Sequence, residues 1–249
     1  TTIAEYRYNG LNQLISRLVD TDGDGDADGS DVWIHHLYDH KWRIVGTIRD
    51  AGTPASPNID SNFKETFVYH EAGLGGNGGS SYIDDVILRD KDANVDWDAQ
   101  ADGTLEERLY YCQNFRHDVV QTLTSAGKRA EKVRYSAYGI PFGSPVGDVD
   151  FSGSVSAFEP TYGGYDVRED FNLDGAEDSK DAAMVNVGQT LGWNALSRAN
   201  GTTGAYNGNR KGYAGYESSF FDHSTMHVRH RVYLAELGRW IRRDPIGFA

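Results

Sequence analysis

Four short acidic stretches carry the residues of this chain best suited to chemistry. A hard divalent cation such as Ca2+ takes six to eight oxygens. A twelve-residue loop supplies them from positions 1, 3 and 5, a backbone carbonyl at 7, a side chain or water at 9 and a carboxylate at 12, with a sharp turn at 6 that favours Gly. In 148–159, Asp148, Asp150 and Ser152 stand at positions 1, 3 and 5, Gly153 at 6, the Ser154 carbonyl at 7 and Glu159 at 12. Further on, Asp170, Asn172 and Asp174 precede Gly175, the Ala176 carbonyl, Asp178 at 9 and Asp181 at 12; Glu177 departs from the apolar residue usual at 8. In 20–31, Asp20, Asp22, Asp24, Gly25, Asp26, Asp28 and Asp31 fit the same scheme. So many carboxylates in one loop repel without a counterion, so a metal is expected to order this connection. The stretch 90–107 admits two frames. One uses Asp98, Gln100, Asp102 and Gly103 with Glu106 at position 9, but has Leu109 at 12; the other uses Asp90, Asp92, Asn94 and Asp96. The expectation is three to four Ca2+ sites.

The charge distribution agrees. These stretches hold 21 of the 37 acidic residues and only two of the 24 basic ones, Lys91 and Lys180. The net charge of −13 is therefore local, and the rest of the chain is basic on balance. Clustered acidity at alternate positions points to cations rather than to general solubility.

Other chemistry finds weaker footing. His35, His36 and His40, or His227 and His230, are of a type that binds transition metals, but strand histidines more often pack or face solvent. Asp84 and Asp85, read within a strand over 82–89, point to opposite faces and cannot cooperate as acid and base. The Gly-rich 73–81 lacks the strand-to-helix context of a phosphate loop. No Ser/His/Asp or Cys/His set has a recognisable context, so no enzyme is expected. Asn200-Gly201-Thr202 is a glycosylation-type sequon. The single Cys112 excludes an internal disulfide framework. No stretch is long and apolar enough for a membrane helix.

The elements that must position these loops are strands. Fifteen Tyr, ten Phe, five Trp and 29 Gly favour strands and turns over helices. Asn9-Gly10 marks a hairpin between Tyr6–Tyr8 and Leu14–Ile15. Strands are expected at 32–38, after the turn at Tyr38-Asp39, and at 66–70. A hairpin is expected around 114–118, and a strand and turn at 132–139. A loop is expected at 51–64. Near the end, 212–216 and 226–233 read as strands, the second by its alternation of basic and apolar residues.

Several of these segments together carry a resemblance. Tyr6–Leu14 and Tyr38–Val45 look like YD-repeat units, and Arg134-Tyr135-Ser136-Ala137-Tyr138-Gly139 resembles another motif of the bacterial RHS/YD-repeat proteins. Leu237-Gly238-Arg239-Trp240, followed by Asp244-Pro245-Ile246-Gly247, resembles the C-terminal core signature of that family. Asn9 replaces the Asp of the first unit, and Leu234-Ala235 replace the Asp-Pro expected after Tyr233. The resemblance implies a sheet that spirals into a hollow shell. Many relatives have an aspartyl self-cleavage site just past the Asp-Pro-x-Gly motif, built partly from residues further on, so no catalytic role is carried over to Asp244. The pair of loops at 148–159 and 170–181 is similar to a dockerin-type duplicated calcium module, with a short helix expected at 178–189.

The expected fold is thus mainly β, a spiralling antiparallel hairpin sheet with a small dockerin-like α/loop insertion. The division is 1–146 for the sheet with acidic loops, 147–189 for the insertion and 190–249 for a loop plus closing strands. The expected function is a non-enzymatic, calcium-stabilised structural module, extracellular or at the bacterial cell surface. Its partners are other copies of itself or the remainder of a longer YD-repeat polypeptide, met at open sheet edges. The alternatives are part of a toxin-encapsulating shell, with self-cleavage beyond residue 249, and an adhesin that binds glycans through Tyr and Trp. Arg229, Arg231, Arg239, Arg242 and Arg243 are expected to pair across the sheet, not to bind nucleic acid.

Overall fold

Alternating sequence and turn chemistry produce a meander. The computed structural model describes residues 4–19, 27–29, 31–70, 84–92, 99–125, 127, 129–143, 209–218 and 225–242. The paired loops at 148–159 and 170–181, the helix expected at 178–189 and the Gly-rich 73–81 lie outside these residues. Ten strands follow one another: β1 (Ala4–Tyr8), β2 (Leu14–Val19), β3 (Trp33–Tyr38), β4 (Ile44–Asp50), β5 (Glu65–Tyr69), β6 (Val86–Lys91), β7 (Glu107–Gln113), β8 (Val119–Thr124), β9 (Arg129–Tyr135) and β10 (Pro141–Gly143). They form one antiparallel sheet in sequence order. A second sheet joins β11 (Glu217–Ser218), β12 (Thr225–Val228), β13 (Arg231–Leu234) and β14 (Arg239–Trp240), also in order.

One turn design recurs. In three hairpins a short polar side chain accepts hydrogen bonds from the backbone two and four residues ahead: Asn9 from Leu11 and Gln13, Asp39 from Lys41 and Arg43, and Asn114 from Arg116 and Asp118. The residue at the third place beyond takes a left-handed conformation, at Asn12 (φ 64°), Trp42 (φ 67°) and His117 (φ 62°). Ser136 begins a fourth turn of this kind, with Gly139 (φ 96°) at that place. Asx turns of this sort satisfy backbone donors that a tight hairpin otherwise leaves unpaired. A register shift precedes three of them, at Arg7/Tyr8, Leu37/Tyr38 and Cys112/Gln113.

The tyrosine ahead of a turn ties neighbouring hairpins together. The Tyr38 hydroxyl donates to the Leu14 carbonyl (2.6 Å), and the Tyr135 hydroxyl donates to the Val119 carbonyl (2.9 Å). Leu14 and Val119 occupy the same place, five residues after Asn9 and Asn114, at the start of the strand leaving the turn.

One face of the large sheet is buried and largely polar. Register pairs Phe67 with Arg89, Glu65 with Lys91, Arg89 with Leu109 and Tyr111 with Thr122, and all of these are buried. The apolar part is a cluster of Ile44, Phe67, Val86, Tyr111 and Val119. The opposite face exposes Leu37, Val68, Ile87 and Tyr110.

The C-terminal segment covers the buried face and runs along the turns. The Gly212 carbonyl accepts from Val119 N–H (3.0 Å), and Ala214 N–H donates to Asp118 Oδ1 (2.9 Å). The Tyr233 hydroxyl donates to the Tyr138 carbonyl, Arg242 to Asn12 Oδ1, and the His230 ring packs on Trp42 with centroids 4.2 Å apart. Four hairpin turns are therefore touched by one segment.

Three local expectations are corrected. The run 226–233 is not one strand; Arg229 takes φ 49° and a turn at Arg229-His230 folds it into β12 and β13. Residues 212–216 form a short 3-10 turn at Tyr213–Gly215, not a strand. Asp84 and Asp85 precede β6 and lie outside the strand assigned to them.

Candidate functional site

The described part of the acidic stretches shows two local arrangements. Of the 20–31 loop only Asp28 and Asp31 among the expected ligands are described; Asp20, Asp22, Asp24 and Asp26 lie outside. Asp28 N–H donates to Asp31 Oδ2 (2.8 Å), closing a turn, while the preceding Ala27 is buried against Leu18 and Trp33. In the second stretch Asn94, Asp96 and Asp98 lie outside. Asp90 is held by both Nε and Nη2 of Arg108 across the strands (2.6 and 2.7 Å). Asp92 is fully buried, and its Oδ2 accepts from Asp102 N–H (3.1 Å). Its Oδ1 has no hydrogen-bond donor. Burial raises the Asp92 pKa; Lys64 acts against this, while the charges of Glu106 and Asp102 add to it. The structure brings Asp92, Asp102 and Glu106 within electrostatic reach of one another and directs Asp90 elsewhere. Among the described residues no group of three His, Cys, Asp or Glu side chains is assembled around one point. The expected ligands Asp148, Asp150, Ser152, Ser154, Glu159, Asp170, Asn172, Asp174, Ala176 and Asp181 all lie outside the described residues.

The densest chemistry lies instead between the large sheet and the C-terminal segment. Arg210 places Nη2 2.5 Å from Glu65 Oε2, Nη1 3.1 Å from Glu65 Oε1 and Nε 2.7 Å from Glu217 Oε1. Arg89, on β6, reaches Glu65 (3.4 Å) and also pairs with Glu107. Glu217 further meets Lys211 (3.2 Å) and Arg17 (3.6 Å). Each of these seven side chains is at most 5% exposed. Desolvating so many charges is unfavourable, and mutual attraction repays it only when the geometry is good and the hydrogen bonds are made.

The pKa directions follow from the same contacts. Burial disfavours the Glu65 and Glu217 carboxylates, but their arginine neighbours more than offset this and hold both below the usual range. Arg210 and Lys211 are raised despite burial, Arg210 chiefly by Glu65 and Glu217 and Lys211 chiefly by Tyr69 and Glu217. Arg17 goes the other way, to about 9, because burial and the nearby Arg210 outweigh Glu217. At the rim, Arg229 Nη2 lies 2.6 Å from Asp84 Oδ2. A cavity of about 30 Å³ beside Tyr38, Tyr69, Asp84, Lys211, Glu217 and His227 is large enough for one or two waters.

The histidines lie in different settings. His35 contacts Ser16 Oγ (2.8 Å) and Asp50 (3.0 Å) on one face of β3. His36 is buried on the other face and neither ring nitrogen has a partner. His227 Nδ1 lies 3.4 Å from the Tyr8 hydroxyl. His40 is exposed in the β3–β4 turn.

Arginines of the tail pair within the protein. Arg229 meets Asp84, Arg231 stacks over Trp240 at 4.2 Å, and Arg242 stacks over Tyr8 at 4.2 Å. Arg239 lies on the exposed β14, and Arg243 is outside the described residues. The central ion pairs, by contrast, were not foreseen. Their available signal was charged residues at alternate positions of strands that otherwise read as buried, at Glu65, Arg89, Lys91 and Glu107.

The chain matches no protein-family model and no curated protein. Solved structures align with it at low identity. A crystal structure of TcdB2-TccC3-TEV aligns at 15% identity and a TM-score of 0.38. A crystal structure of TcdB2-TccC3-Cdc42 aligns at 14% and 0.40. The Photorhabdus luminescens Tc holotoxin pore aligns at 13% and 0.37. Each alignment covers 98% of this chain and 9% of the other, so this chain spans under a tenth of their length.

Proposed function

We propose that this chain is a non-enzymatic structural segment of a larger YD-repeat-type β-shell, extracellular or at the cell surface, with calcium clipping its acidic connections. The observation that carries this reading is the order of the large sheet. Its strands follow the sequence, and β1 and β10 stand at its two ends, each with one strand neighbour among the described residues. An edge strand offers a row of backbone donors and acceptors that another strand can complete. In this reading further strands of the same polypeptide lie against β1 and β10. The C-terminal segment then ties successive hairpins together through their turns and through the buried ion pairs.

In the 90–107 stretch calcium would draw on Asp92 from one frame and on Asp102 and Glu106 from the other. Asp90 is committed to Arg108. Asp92, Asp102 and Glu106 repel one another, and Asp92 keeps one buried oxygen without a donor. Lys64 opposes this negative charge only in part. A divalent cation would complete the neutralisation and take the open Asp92 oxygen as a ligand.

Hydrogen exchange on the isolated chain and on the longer polypeptide that carries it tests the reading. Amides of β1 and β10 are expected to exchange quickly in the isolated chain and to be protected in the longer one. Equal, rapid exchange in both would remove the shell reading. The same open edges favour a second reading, in which copies of the chain join edge to edge. Light scattering in Ca2+ separates the two, because a single species at 27.6 kDa would eliminate assembly between copies.

A further inference from the structure

We propose that His36 and His227 form an acid-sensitive release for the C-terminal segment, which holds to the sheet while both imidazoles are neutral and lets go as they take up protons. His36 comes from β3 and His227 from β12, so the two rings approach the contact from opposite sides. The His36 residue is 6% exposed, and both of its ring nitrogens lack a hydrogen-bond partner. His227 Nε2 is likewise buried and unpartnered, and its ring packs on Tyr6 with centroids 5.1 Å apart.

The groups facing these rings give an added proton nowhere to go. From β2 comes Arg17, from the C-terminal segment Arg210, Glu217 and, near His227, Arg242. From β1 come the rings of Tyr6 and Tyr8, with the Tyr8 hydroxyl 3.4 Å from His227 Nδ1. Glu217 is the one carboxylate among them, and it already serves Arg210, Lys211 and Arg17. A protonated His36 would be buried beside two cations with no acceptor of its own, and a protonated His227 would sit near two cations with only the Tyr8 hydroxyl, 3.4 Å from Nδ1, as a weak acceptor. Burial accordingly holds His227 down to about 4 and His36 well below its ordinary value.

The sign follows from linkage. A histidine depressed in the closed state binds its proton only on opening. The closed state is thus fully favoured above about pH 6.5 and loses ground as the pH falls toward 4. For His227 alone, the open-to-closed ratio rises about 30-fold by pH 5. Glu65 and Glu217, held below the usual carboxylate range, add their loss only at lower pH. Asp84, raised mainly by burial, opposes the release.

The test is hydrogen exchange on the whole chain with Ca2+ at a fixed saturating level. Protection factors are compared at about pH 7 and about pH 5 for peptides within 209–218 and 225–234, with β3 and β4 as the internal reference. The expected result is a loss of 30-fold or more in the C-terminal peptides, with β3 and β4 unchanged. A double variant, His36→Gln with His227→Gln, is expected to keep its protection at about pH 5. No loss in the parent protein, or an equal loss in the variant, would overturn the proposal. Should the variant fail to fold, an NMR titration of the parent's histidines decides. Both rings must stay neutral below their ordinary value while the segment is closed; titration near 6.5 with protection intact overturns the proposal.

Discussion

Arg210 grips Glu65 with two nitrogens, at 2.5 and 3.1 Å, across 145 residues of sequence and with both side chains withdrawn from water. This pair joins the C-terminal segment to the middle of the ten-stranded sheet. Glu65 also meets Arg89, and Arg210 also meets Glu217, so each partner is a branch point in the network. Arg210→Met leaves two buried carboxylates short of a cation. It is expected to destabilise the protein by about 3–5 kcal/mol, read as a lower urea midpoint. Replacing Arg210 and Glu65 together with apolar residues of similar size is expected to recover part of that loss, because the desolvation cost of this pair disappears while Arg89 keeps Glu107 and Glu217 keeps Lys211 and Arg17.

The shared turn design predicts shared consequences. Asn9→Ala and Asn114→Ala each remove two hydrogen bonds to backbone N–H groups. Each is expected to cost about 1–2 kcal/mol in chemical denaturation, and the two effects should add because the turns are far apart in the sheet. Asp39→Ala should cost more, since Asp39 also holds Arg43 Nε at 2.7 Å. Burial pushes the Asp39 carboxyl up, but the hydrogen bonds from Arg43 and Lys41 hold it below the usual range. The stability it contributes is therefore complete above about pH 4 and is lost as the pH falls further.

Gly215 is fixed by its surroundings. It has φ 69°, and a Cβ there would lie 2.3 Å from the Asp84 carbonyl oxygen. Gly215→Ala is expected to push the C-terminal segment off the loop before β6 and to break the Arg229–Asp84 pair. A melting temperature lowered by several degrees, about 1–3 kcal/mol, would be the readout.

How much of this could be read from the sequence depends on distance along the chain. The Asn9-Gly10 and Tyr38-Asp39 turns were legible because a turn is local: the side chain that accepts and the amides that donate lie within four residues. The hairpin around 114–118 was legible for the same reason. The Arg210–Glu65 network was not, because nothing local to Glu65 marks its partner 145 residues away. The 226–233 run was misread because its alternation fits a strand, and only the positive φ at Arg229 shows the turn inside it. In the acidic stretch at 90–107, spacing alone offered two frames. The cross-strand Arg108–Asp90 pair removes Asp90 from the frame that used it.

That assignment predicts a pattern in calorimetry. EDTA is expected to lower the melting temperature of the parent protein. Asp92→Asn should shrink the EDTA effect, because it removes a ligand, whereas Asp90→Asn should leave it unchanged and lose only the exposed pair with Arg108. An EDTA effect reduced by Asp90→Asn and untouched by Asp92→Asn would reverse the frame.

The central claim is that the ten-stranded sheet is an interior stretch of a longer wall. Electron cryomicroscopy of the polypeptide that carries this chain, in Ca2+, tests it most directly. The account predicts backbone density of a neighbouring strand hydrogen-bonded along β1 (Ala4–Tyr8) and another along β10 (Pro141–Gly143), with Arg210 still seated on Glu65. Both edges facing solvent, with no strand beside either, would contradict it.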